Sequence, residues 1–132
     1  MDAGSDRFLT NSFGGNASRV KLHAAADRAH ERSRIAAEIG RNVADKARRP
    51  VIVAGSMGPT GEIMEPMGSL THAGAVEMFH EQAEGRKAGG ADVLWFETIS
   101  AAEEMKAAAE AAALAEMPWV GTMSFDTAGR TM

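Results

Sequence analysis

The feature that most constrains the fold of this chain is a set of four short apolar runs, none of which alternates between apolar and polar positions. They are Phe8-Leu9-Thr10, Val51-Ile52-Val53-Ala54, Val93-Leu94-Trp95-Phe96 and Trp119-Val120-Gly121-Thr122-Met123. An apolar run without alternation fits a strand covered on both faces, and such strands belong to parallel sheets sandwiched by helices. Val51–Ala54 has this look most clearly, entered by Pro50 and expected to end at Gly55. Parallel pairing needs long crossovers, and the stretches between the runs are helical in pattern. Val20, Leu22, Ile35, Ile39 and Val43 recur at helical spacing between Ser18 and Ala47, with a break expected near His23–Asp27. A second helix is expected from an N-cap at Thr71, with Ala75, Met78, Phe79 and Gln82 on one face, to a stop at Gly89-Gly90. Ser100-Ala101-Ala102-Glu103 has the form of a capping box opening a third helix that ends before Pro118. The fold class is α/β: about four parallel strands with intervening helices, as a doubly wound sheet or a segment of a (β/α)8 barrel.

Composition narrows the function. A chain of 132 residues is of one-domain length. It contains no cysteine, which removes disulfides, a thiolate nucleophile and any thiolate-ligated metal built from this chain alone. Fourteen basic and eighteen acidic residues give a net charge of −4, with no basic cluster to grip nucleic acid. No apolar stretch reaches the roughly 18 residues of a membrane span, and the N-terminus does not resemble a signal peptide, so a cytoplasmic protein is expected. Twenty-six alanines favour the helices.

Parallel α/β folds collect their chemistry at the C-terminal ends of the strands. Glu97 follows four large apolar residues, so its carboxylate is expected at the mouth of the sheet, suited to holding an ammonium group or acting as a general base. The alternative is a structural carboxylate that caps a helix or pairs with an arginine. Thr10 and Asn11 offer a hydroxyl and an amide to a small polar ligand and Phe13 an apolar wall, although Asn, Ser and paired Gly are also ordinary turn residues. Gly55 to Gly61 resembles a phosphate cradle but lacks the lysine of a P-loop, and its residues are expected to shape a long loop lining a pocket. Asp126 is expected in a turn, and His23, His30, His72 and His80 on the surface, with no metal-ligand spacing.

Four segments taken together closely resemble consecutive stretches of the homocysteine S-methyltransferase family. They are Phe8-Leu9-Thr10-Asn11-Ser12-Phe13-Gly14-Gly15-Asn16, Val53 to Glu62, Asp92-Val93-Leu94-Trp95-Phe96-Glu97-Thr98 and Gly121 to Thr127. The resemblance covers essentially the whole chain and rests on the order and spacing of the four motifs. It implies a (β/α)8 barrel, homocysteine carried as a thiolate on zinc held by three cysteines, and a methyl donor that is betaine, a methylated sulfonium or methylcobalamin recharged from a methylfolate. Coordination to zinc deprotonates a thiol that is otherwise mostly protonated at neutral pH.

Transferred position by position, the resemblance makes Glu97 the residue that holds the homocysteine amino group. The Thr10-Asn11-Ser12-Phe13 turn becomes pocket lining near the substrate, and Gly55-Ser56 with Gly58-Pro59 part of the next loop of the same rim, while Thr122 and Ser124 fall on the strand that follows with no side-chain role assigned. No catalytic residue and no metal ligand is assigned within the chain. The family's first strand and its zinc cysteines have no counterpart here, so residues 1–132 are expected to be strands two to five of eight, a fragment of one homocysteine-binding barrel. Such a segment is expected to be marginally stable, to lack turnover in isolation and to bind no stoichiometric zinc. Two other readings are a non-catalytic remnant or partner-completed half barrel, which flanking coding sequence would distinguish, and an aldolase- or lyase-like barrel using Glu97 as base. The last would want a lysine or a His/Asp metal set at the strand ends, and none is visible.

Overall fold

The structure is a computed structural model and describes residues 4–20 and 28–131. The elements are β1 (Arg7–Leu9), α1 (Ala17–Val20), α2 (Ala29–Ala44), β2 (Ile52–Met57), α3 (His72–Ala88), β3 (Val93–Ile99), α4 (Ala102–Leu114) and β4 (Trp119–Met123). The four strands form one open parallel sheet in the order β1-β2-β3-β4, as the uninterrupted apolar runs and long crossovers require. The expected helix break at His23–Asp27 lies outside the described residues.

Alternation along the strands sorts two faces. Met57, Leu94 and Phe96 point toward the helices and form one core with Phe79 and Ala83 of α3 and Ala107, Ala108 and Ala111 of α4. Phe79 and Phe96 meet edge to face, with ring centroids 5.9 Å apart, a geometry that adds to simple burial. The alanines let α4 lie close to the sheet. Close approach also explains Gly85 of α3, where a Cβ would stand 2.5 Å from the His30 carbonyl oxygen of α2. On the opposite face Leu9, Ile52 and Val120 are exposed, and the Arg7 guanidinium lies 5.8 Å from the centre of the Trp95 ring.

Several boundaries differ from expectation. β2 does not stop before Gly55 but runs through Gly55 and Ser56 to Met57, because Gly55, Ser56 and Met57 pair with Leu94, Trp95 and Phe96 of β3. β3 likewise carries Glu97 and Thr98 to Ile99, with an irregularity after Phe96 and Thr98 at φ +64°. The Thr71 cap is present, its hydroxyl accepting from the Gly74 N–H, but Ser100 does not cap α4. The N-cap there is Ala101, with no side-chain cap, and the first-turn carboxylate that is buried is Glu104. Strand burial is also uneven: Ile52 is 46% exposed and β4 is open along most of its length.

Candidate functional site at the carboxyl ends of the strands

The C-terminal ends of β1, β2 and β3 are joined by side chains rather than by backbone ladder alone. The β1–β2 register ends at Leu9 opposite Ala54, with one further backbone bond from Thr10 N–H to the Ala54 carbonyl, 2.9 Å. Beyond that point the Ser56 N–H donates to Thr10 Oγ1 at 3.0 Å, and the Thr10 and Ser12 hydroxyls stand 2.6 Å apart. The Ser12 hydroxyl donates to the Ser56 carbonyl at 3.0 Å. The Ser56 hydroxyl in turn donates to Oε1 of Glu97. Thr10, Ser56 and Glu97, three of the residues singled out in the sequence, therefore belong to one hydrogen-bonded chain crossing three strands.

Glu97 is half-buried on the face away from the helices, and among the described residues no cation pairs with it. Asp92, at the other end of β3, differs. Its Oδ2 accepts from the Val53 N–H at 2.7 Å and lies 3.0 Å from Arg41 Nη1, so this carboxylate is consumed by structure.

The remaining expected residues lie around this chain. Phe13 packs its ring on Gly58, where a Cβ would fall 2.6 Å from the ring, and its carbonyl accepts from the Gly58 N–H at 2.9 Å. Asn11 is exposed and lines a cleft of about 450 Å³ with Gly14, Arg32, Ile35 and Ile39; neither Ser56 nor Glu97 lines it. Gly55 faces α3, where a Cβ would stand 2.5 Å from Arg86 Cδ. Asp126 forms a turn, its Oδ1 accepting from the N–H groups of Ala128 and Arg130, each 2.8 Å. His30, His72 and His80 lie at or near the surface, and His23 falls outside the described residues.

Four participants have no side-chain role of their own in the sequence reading, although Ser12 lies in its pocket-lining turn and Thr122 on its fourth strand. Arg86 of α3 is fully buried and gives its Nε and Nη2 to the Ser56 carbonyl at 3.1 and 2.6 Å, and Nη2 also to the Ser12 carbonyl at 2.9 Å. Its Nη1 reaches Ser33 Oγ at 2.9 Å and the Gln82 carbonyl at 3.1 Å. Burial pushes the pKa of this guanidinium down to about 9, so it remains cationic at neutral pH. Ser12 is the second. Glu104 is the third: its Oε1 accepts from the Thr60 N–H at 2.8 Å and the Thr60 hydroxyl at 2.6 Å, anchoring the loop that follows β2. The fourth is Thr122 of β4, whose hydroxyl lies 3.4 Å from Thr98 N and 3.5 Å from the Phe96 carbonyl, bridging the irregular turn of β3 beside Glu97. An arginine at helical spacing signals an exposed face in sequence, and only its place beside Gly55 turns it inward.

Among the described residues there is no group of three or more His, Cys, Asp or Glu side chains able to hold a metal ion, and the sequence has no cysteine. The residues present therefore do not fit a zinc site. No helix among the described residues is long and apolar enough to cross a membrane.

Comparison with known proteins agrees with the fold. The methionine synthase of Mycobacterium tuberculosis is 36% identical over 111 residues, and that of Mycobacterium leprae 34% identical over the same length. Each match takes in 82% of this chain, which spans about 9% of the length of either relative. The homocysteine S-methyltransferase family profile matches residues 1–132, and the parallel β/α architecture is that of part of such a barrel. The chain belongs to the homocysteine S-methyltransferase family.

Proposed function

We infer that this chain forms the homocysteine-binding rim of a cytoplasmic homocysteine S-methyltransferase barrel, with Glu97 holding the substrate's ammonium group. The observation that carries this reading is the Glu97 carboxylate itself. It stands at the carboxyl end of a parallel strand, oriented by the Ser56 hydroxyl, and no cation of the described residues neutralises it. A half-buried carboxylate so placed favours a charge-assisted bond to an ammonium donor. Thr10 and Ser12 act behind it, since their hydroxyls are already engaged with Ser56. The name of the family supports homocysteine as methyl acceptor, and the names of the two mycobacterial relatives support methionine as product.

In the transfer, the homocysteine sulfur, freed of its proton, attacks the donor's methyl carbon. A new S–C bond forms while the donor–methyl bond breaks, its electron pair leaving with the donor. The residues of this chain orient the amino acid end and so limit where the sulfur can lie. A metal-bound thiolate would need ligands from outside these 132 residues, and no step is assigned to one. Betaine, a sulfonium and methylcobalamin all remain compatible donors, because the rim described here grips the acceptor.

Calorimetric titration of the chain with L-homocysteine and with its des-amino analogue, 4-sulfanylbutanoate, tests the reading. Homocysteine should bind about tenfold or more tightly than the analogue, a difference of about 1.4 kcal/mol, and Glu97→Gln should erase that preference. Equal affinities in the wild-type chain, an undiminished preference in Glu97→Gln, or no homocysteine binding at millimolar concentration would overturn it.

A further inference from the structure

We propose that Arg86 is the positioning residue of this site: its guanidinium stands in for the backbone partner that β2 lacks beyond Ala54 and thereby aims the Ser56 hydroxyl at Glu97. This rests on the reading of Glu97 as the ammonium-binding group. In a parallel strand the N–H and C=O of one residue point toward the same neighbour. For Ser56 that neighbour is β1, and β1 ends at Leu9. Both polar groups are instead met by side chains. The N–H finds Thr10 Oγ1, and the carbonyl receives Arg86 Nε, Arg86 Nη2 and the Ser12 hydroxyl. With its backbone so held and β3 paired on the other side, Ser56 keeps only rotation about χ1, and its hydroxyl settles on Glu97.

The arrangement suits arginine alone. Its planar fork serves the carbonyls of Ser12, Ser56 and Gln82 and the hydroxyl of Ser33 at once, so that the turn after β1 is tied to β2, α2 and α3 at a single group. A lysine ammonium, with three donors on one atom, cannot span those acceptors. No carboxylate of the described residues bonds to Arg86, so its charge is held by oriented neutral dipoles. A buried cation so held is costly as simple glue, since apolar residues of similar volume often stabilise a core better. Gly55 completes the device by leaving room for the arginine stem.

The test has a readout independent of homocysteine. In the chain labelled with 13C-glutamate, the Glu97 carboxyl resonance should shift in Arg86→Lys in the direction seen for Ser56→Ala. Homocysteine affinity should fall about tenfold in Arg86→Lys, with no further loss when the same change is made on Glu97→Gln. Should Arg86→Lys not fold, Gly55→Ala displaces the stem while keeping every donor, and the same resonance should move. An unmoved Glu97 resonance in whichever of these variants folds, or an equal affinity loss in both backgrounds, would overturn the proposal. If the resonance moves but homocysteine does not bind, Arg86 still positions Glu97 and the ammonium reading alone fails.

Discussion

Replacing Glu104 with alanine should loosen the loop between β2 and α3 and destabilise the whole chain. Glu104 is 5% exposed, and its Oε1 accepts from both the N–H and the hydroxyl of Thr60, itself 1% exposed. The Thr60 hydroxyl also accepts from the Glu62 N–H at 3.2 Å, so the bonds form a relay from α4 into the loop. Truncation to alanine leaves two buried donors without an acceptor, each costing about 1–2 kcal/mol, or about 2–4 kcal/mol together. For a chain of this size that corresponds to a fall of about 10 °C in melting temperature. Glu104→Gln keeps an acceptor oxygen in the same place and should cost under about 1 kcal/mol. Urea unfolding followed by circular dichroism measures both values, and hydrogen exchange at the Thr60 amide reports the loop directly. An alanine variant within about 0.5 kcal/mol of wild type, or a glutamine variant as damaged as the alanine one, would refute the relay.

Two further expectations follow from groups outside the site. The hydrogen bond and charge of Arg28 hold the exposed Glu31 carboxyl below its ordinary value of 4.5. A lowered carboxyl pKa stabilises the fold above the unfolded value, and the effect is lost as pH falls through the folded one. The melting temperature of Glu31→Gln should therefore trail wild type near neutral pH and converge with it as pH falls below the lowered folded-state pKa; a gap that persists in acid would contradict this assignment. The purified chain, lacking cysteine and any metal-binding cluster among its described residues, should retain well under one equivalent of zinc after dialysis and show no homocysteine methylation. Metal analysis near one equivalent would contradict the first statement, and measured turnover the second.

The strand runs were legible in sequence because continuous apolar stretches leave few alternatives, and the α/β order followed from the spacing between them. Strand ends were less so. Gly55 and Ser56 look like turn residues, yet pairing with Leu94 and Trp95 keeps them extended, a decision taken by the neighbouring strand. Ser100 and Glu103 have the spacing of a capping box, but the chain enters α4 one residue later, and Glu104 rather than Glu103 becomes the buried carboxylate. Glu97 was visible as a lone carboxylate after an apolar strand. The bonds made by its companions Ser12, Arg86 and Thr122 were not, since each residue is ordinary locally and acquires its role from a partner on another element.

The sequence by itself determined the class of sheet, the order of its elements and the strand ends at which polar residues gather, because apolar periodicity and chain length act locally. The resemblance of those ends to the homocysteine S-methyltransferase family was also present, in four motifs carried in order. Tertiary structure decided which polar groups are consumed and which stay free. Asp92 is satisfied by Val53 and Arg41, whereas Glu97 is oriented by Ser56 and left without a cation among the described residues. That distinction depends on hydrogen bonds between residues up to 74 positions apart, as from Arg86 to Ser12, and such pairings exist only once the sheet and helices have packed.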